Sequence, residues 1–162
     1  MMMTIKERAA LIARYKDGYK EVADALNGIS EKELDFSRAR GKWSARQIVH
    51  HLADSENHSA IRLRKLLVER QPYIQAYDQD EFATKLHYSK RPIEPALKAF
   101  EGARATTAQL LDLMSEEDWN RAGEHSESGP YSIHTWLEIY ARHAHDHAGQ
   151  IRQNRAAYKE SK

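Results

Sequence analysis

Apolar positions recur along this chain in steps of three and four residues, the spacing of helices that bury one face. From about Thr4 to Leu26, the residues Ile5, Ile12, Tyr15, Tyr19, Val22 and Leu26 fall on one stripe. Asn27-Gly28 then supplies the left-handed stop that helices favour. A second helix starts at Ser44, which forms a capping box with Gln47, while Trp43 and Ile48 stand where a hydrophobic staple packs. Its stripe runs through Ile48, Leu52, Ser59, Leu63 and Leu66, and ends by about Glu69, before the Gln71-Pro72-Tyr73 loop. The connector holds a short predicted helix capped by Asp78 and continued through Glu81-Phe82.

A third helix opens near Pro92–Pro95, since proline is tolerated in a first turn. It carries Ile93, Ala96, Leu97, Phe100, Thr107, Leu111 and Met114 on one face. Ser115 to Trp119 reads as a capped turn, and Asn120–Tyr131, with Gly123, Gly129 and Pro130, as a loop. The fourth long helix runs from Ser132 to about Tyr158. No segment alternates with the two-residue period of a strand, and there is no internal repeat or linker. The pattern predicts one all-α domain over residues 1–162, a four-helix bundle with short connecting helices.

Composition agrees: 162 residues with 41% hydrophobic and 30% charged side chains, only 7 Gly and 4 Pro, suit a helical globule with its own core. A net charge of +1 gives no global field that selects nucleic acid. The local run Arg38, Arg40, Lys42, Arg46 reads as a solvated face. No apolar stretch approaches the roughly 20 residues of a membrane span, and the first residues lack the apolar core of a secretory signal. Together with the absence of cysteine, this places the expected protein in the cytoplasm, without membrane or nucleic-acid partners. It also means that any thiol chemistry would need a thiol from outside the chain.

Histidine changes the picture most. At ~100° per residue, His143 and His147 lie only ~40° apart, at the margin of the inward sector formed by Trp136, Leu137, Tyr140, Ala144 and Ile151. His51 lies at the edge of the second helix's stripe, whereas His50, His134 and His145 project elsewhere. Two ligands one turn apart, with a third from another helix, can cover one face of a metal ion and leave the other open for catalysis. A structural site would normally close all positions, mostly with cysteine, and this chain has none. The spacing alone leaves metal ligands and satisfied core histidines as open alternatives, with His58 the replacement ligand.

Arg104 falls on the apolar face of the third helix, where a guanidinium must meet either a carboxylate, Asp54 or Glu56, or an anionic substrate group. Asp54, three residues after His51, and His125, in the loop before the fourth helix, are candidate proton-transfer residues. Arg104 and Tyr140 are candidate substrate-binding residues; Trp136, Tyr19 and, in its simplest reading, Tyr140 are core.

The segments Trp43-Ser44-Ala45-Arg46-Gln47-Ile48-Val49-His50-His51-Leu52-Ala53-Asp54-Ser55, Tyr77-Asp78, Leu111 through Trp119, His125 to Gly129, Tyr131-Ser132 and Tyr140-Ala141-Arg142-His143 to His147 with Ile151 resemble the DinB-like superfamily, and its YfiT-like branch in particular. The likeness runs from Lys42 onward in order and spacing, although His50, His58 and His145 are additions to the simpler pattern. It implies a four-helix bundle holding one divalent metal, zinc or nickel, on His51, His143 and His147, often as a homodimer. It also implies either a metal-dependent hydrolase, acting through hydroxide on the ion, or an S-transferase using a bacillithiol-like low-molecular-weight thiol.

The expected function is therefore transfer of such a thiol to small electrophilic substrates in detoxification, with hydrolysis as the alternative. A non-catalytic, stress-linked metal-binding bundle is the reading from another class. Against it, a bundle with four apolar stripes needs no metal to fold.

Overall fold

The computed structural model describes residues 3–162; Met1 and Met2 lie outside them. Four long helices, α1 (Ile5–Leu26), α3 (Ala45–Val68), α5 (Glu94–Leu113) and α7 (Ile133–Glu160), form the body. Short helices α2 (Glu31–Asp35), α4 (Gln79–Lys85) and α6 (Glu116–Trp119) punctuate the connections. Their boundaries follow local chemistry. Ser44 accepts from the Gln47 amide, and Gln47 returns the bond to the Ser44 amide at 2.9 Å. Thr4–Glu7 and Ser30–Glu33 make the same reciprocal cap for α1 and α2. The second of these boxes is the signal that identifies α2, a helix the hydrophobic pattern is too short to reveal.

The long helices pack as a ring: α1 against α7, α7 against α3, α3 against α5 and α5 against α1. Chain neighbours α1 and α3 therefore stand diagonally, as do α5 and α7, which requires connections that cross the bundle. That crossing brings α3 beside α7, and with it His51 towards His143 and His147. The core holds Ile48, Leu52, Phe100, Ala144 and Ile151 in one cluster, and Tyr15, Leu63, Leu66, Ile133, Trp136 and Leu137 in another. Among the described residues, no helix is long and apolar enough to cross a membrane.

Asn120–Tyr131, expected as a loop, is not one. It contributes β2 (Ala122–His125) and β3 (Gly129–Ser132), an antiparallel hairpin, and β2 also pairs in parallel with β1 (Tyr73–Ile74). These strands are too short and too poor in β-branched residues to alternate visibly. They are held by backbone pairing, including Glu124 N to Pro72 O at 3.0 Å and Ser126 N to Ile74 O at 2.9 Å. Gly123 is required there, because a Cβ would lie 2.3 Å from the Pro72 carbonyl oxygen. The hairpin anchors His125 in place.

Candidate metal centre

His51 from α3 and His143 and His147 from α7 converge on one point. His51 Nε2 and His147 Nε2 each lie 3.2 Å from His143 Nε2. The spacing of four residues on α7 stacks His143 and His147 one turn apart, and the α3–α7 contact supplies the third ring. Ring centroids are 4.6–5.2 Å apart and the planes steeply inclined, so nitrogens meet while carbons turn outward. Trp43 packs 4.7 Å from the His51 ring and closes that side.

Burial holds all three rings neutral. Desolvation is the leading cause for each: it brings His51 down to about 3, with the charge of His147 adding to it. His143 is held well below the usual range and His147 is lowered. Neutral imidazoles with converging nitrogens are a donor set for a cation. Further support for that fit comes from behind the rings: His147 Nδ1 donates to Gln150 Oε1 at 3.0 Å, which leaves the Nε2 lone pair facing the other two histidines. Nδ1 of His51 and Nδ1 of His143 are buried without partners, so nothing competes to turn those rings. The three residues thus form a group able to hold a divalent ion. A second group, Asp17, Glu21 and His145, is more exposed, and its Glu21 already pairs with Arg152 at 3.0 Å.

Two depressions open onto the histidines. One, of about 440 Å³, is lined by Arg38, Lys42, Trp43, Gln79, Asp80 and Gln150 together with all three rings. The other, of about 330 Å³, is lined by Ser55, Arg62, Tyr77, His125 and Tyr140, with His51, His143 and Gln79 common to both. Arg38 and Lys42, expected on a plain solvated face, are walls of the first lobe. Arg46, from the same run, is buried and bonded to Asp35 and Glu31. A larger depression, lined by Met3, Leu11 and His134 among others, lies away from the three histidines.

Other expectations need correction. Asp54 neither contacts His51 nor lines either lobe. It accepts from the Tyr88 hydroxyl and borders a separate depression with His58 and Phe82. A step of three residues rotates it ~60° from His51, which is enough to aim it at the connector. Arg104 is not a substrate-binding residue: it is 2% exposed, with Nη1 paired to Glu56, Nε donating to Tyr15 O at 2.9 Å and Nη2 to Tyr140 O at 2.8 Å. Tyr15 donates to the same Glu56 carboxylate.

Tyr140 does border the second lobe, its hydroxyl accepting from Arg62 Nη1 at 3.0 Å. His125 lines it too. Its Nδ1 accepts from the amides of Glu127 and Ser128, so the proton sits on Nε2, and burial followed by the charge of Arg62 keeps the ring neutral. His58 stacks on Tyr77 at 4.1 Å, His50 donates to Arg91 O, and His145 donates to Arg14 O. Gln150 and Arg62 escape sequence reasoning. For Gln150 a signal existed, an amide three residues after a candidate ligand on the same helix.

A protein of Oceanobacillus iheyensis, named as a candidate metal-dependent hydrolase, is 37% identical over 123 residues, covering 76% of this chain and 71% of its own. One of Bacillus cereus with the same designation is 31% identical over 140 residues, 86% and 80% of the two chains. The fold matches that of YfiT from Bacillus subtilis, described as a candidate metal-dependent hydrolase with an unusual four-helix bundle topology: TM-score 0.88, 23% identity, 94% of this chain and 88% of that one. It also matches a mycothiol-dependent maleylpyruvate isomerase, with TM-score 0.73 and 13% identity, over 93% of this chain and 63% of that one. A family model described as the DinB superfamily matches residues 14–151. The chain belongs to the DinB superfamily.

Proposed function

We propose that the protein is a metal-dependent enzyme that joins a low-molecular-weight thiol to a small electrophile at His51, His143 and His147. The observation that carries this reading is the pair of lobes that meet at the same histidines, one beside Arg38 and Lys42 and one beside Arg62 and His125. Hydrolysis needs room for one organic substrate and water. Two lobes flanking one centre suit two organic reactants. The chain has no cysteine, so the sulfur must arrive as a second substrate. The fold match to a mycothiol-dependent isomerase adds support.

Zinc or nickel on the three imidazoles would supply positive charge that acidifies a thiol or water placed on its open face. The chain's own residues do the rest. Gln150 fixes the His147 tautomer. Arg38 and Lys42 attract anionic groups of the thiol, while Trp43 and Gln79 narrow its approach. His125, protonated at Nε2, donates to negative charge that develops on the electrophile. In the reaction the thiol proton passes to solvent water, a carbon–sulfur bond forms as the carbon–leaving-group bond breaks, and the leaving group departs with its bonding pair.

Hydrolysis is the second reading, favoured by the designation of the relatives. The test supplies 1-chloro-2,4-dinitrobenzene with and without a panel of low-molecular-weight thiols, and p-nitrophenyl acetate without thiol. Thiol-dependent chloride release that is lost in His147→Ala supports transfer. Ester cleavage without thiol supports hydrolysis. A metal-loaded protein inert towards both substrates favours the non-catalytic bundle.

A further inference from the structure

We propose that the smaller lobe is a carboxylate subsite in which Arg62 selects electrophiles bearing a carboxylate group. Its place in the reaction rests on the two-substrate reading above, but the binding itself is measurable without turnover.

Arg62 follows His51 by eleven residues on α3, close to three helical turns, so it shares that face of the helix. Its guanidinium is fixed by neutral acceptors alone: Nη1 donates to the Tyr140 hydroxyl and Nη2 to Gln75 O, each at 3.0 Å. Its Nε is enclosed on the side of the Tyr131 hydroxyl, a third neutral group, whose ring packs 5.4 Å from that of His125. Among the described residues, no carboxylate lies within 4.0 Å of it, and Glu127 at the lobe's rim makes no ion pair with it.

Elsewhere in the molecule the buried arginines meet acids: Arg104 meets Glu56, Arg46 meets Asp35, and Arg8 meets Glu116. Arg62 is instead oriented, partly shielded and left without a counter-charge. With one N–H of each Nη engaged, the second N–H on each remains for a ligand, and a planar guanidinium matches a carboxylate better than a neutral group. Tyr77 and Ile139 offer apolar surface to the rest of a small acid, within about 330 Å³ and beside His51 and His143.

The experiment measures binding of 4-chloro-3-nitrobenzoate and its methyl ester to zinc-loaded protein by calorimetry. Wild type should bind the acid about tenfold or more tightly than the ester, the range expected for a charge-assisted hydrogen bond. Arg62→Gln should lose that preference, Arg62→Lys should keep part of it, and Arg38→Gln should leave it intact. Should Arg62→Gln fail to fold, the wild-type Arg62 Nε–H resonance gives the answer, shifting with the acid and not with the ester. Equal binding of acid and ester overturns the proposal, as does a preference that survives Arg62→Gln or disappears equally in Arg38→Gln. Direct ligation of the ion by the acid would survive Arg62→Gln and so counts against it. An acid preference without turnover would remove the enzymatic reading and leave the subsite. Turnover without an acid preference would do the reverse.

Discussion

Arg104 faces the interior of the bundle because Glu56, buried on α3, meets it there, and Tyr15 and Tyr140 contribute the remaining acceptors. Removing one member of such a pair leaves an uncompensated charge, which is far worse than never having buried the pair. Arg104→Met should therefore lower unfolding stability by about 3–5 kcal/mol in urea titrations. Loss below ~1 kcal/mol would mean that water reaches Glu56. Gln150 acts at the same scale on metal affinity. Gln150→Ala releases His147 Nδ1, and metal affinity in a chelator competition should fall about 10–100-fold with little change in helicity.

Helical phase puts His51, His143 and His147 at inward edges but leaves His58 as an alternative. The family resemblance, not phase, selects the three, and His50, phased away from the stripe, is nonetheless buried against the Arg91 carbonyl. The sequence also shows that Arg104 needs an acid or an anion. Helical phase separates the two candidates: Asp54 and Glu56 are ~200° apart on α3, and Glu56, at the edge of the Ile48–Leu52–Leu63 stripe, is the one that is buried against α5. Asp54 and Tyr88 meet through a loop with no periodic signal.

At the scale of elements, the glycines show where close packing limits the helices. Gly18 lies inside α1, where a Cβ would come within 2.8 Å of Arg104 Nε and of Ala144 Cβ. Arg104 is bonded at every nitrogen and cannot swing away cheaply. Gly18→Ala should therefore destabilise the fold by about 1–3 kcal/mol despite alanine's better helix propensity. Gly102 in α5 has open space around it, so Gly102→Ala should stabilise by up to ~1 kcal/mol. Opposite signs in parallel thermal melts are the expected result.

α2 gives a pH dependence. Glu33 is held down to about 2, first by the Ser30 amide that it caps, with Arg155 contributing as well. A carboxylate whose folded pKa is depressed stabilises the fold fully above its unfolded pKa near 4.5, and the contribution fades as pH falls towards 2. Glu33→Gln should flatten stability against pH between those limits and leave the shape of the curve above pH 6 unchanged. The capping box makes this helix readable from sequence once capping is weighed with periodicity. The β1–β2–β3 sheet offers no such cue, because its strands are two to four residues long and only Ile74 and Tyr131 anchor it in the core.

For the whole molecule, four apolar stripes announce the bundle but not the order of helices around it. Any ring order satisfies the same stripes. The diagonal placement of α1 and α3 depends on crossing connections whose sequences carry no directional signal. Because two apolar clusters already join the four long helices, chelation should leave far-UV helicity largely intact and lower Tm by only the linkage expected of a bound ligand. Collapse of helicity on chelation would instead make the ion structural.

The account turns on three imidazoles holding one ion with a face left open. The most direct test is X-ray absorption at the metal edge of zinc- or nickel-reconstituted protein, fitted for ligand type and number. Three imidazole nitrogens at about 2.0–2.1 Å, with remaining scattering from exchangeable light atoms, is the predicted result. An ion bound mainly by carboxylates, or one whose coordination is unchanged in His147→Ala, would contradict it.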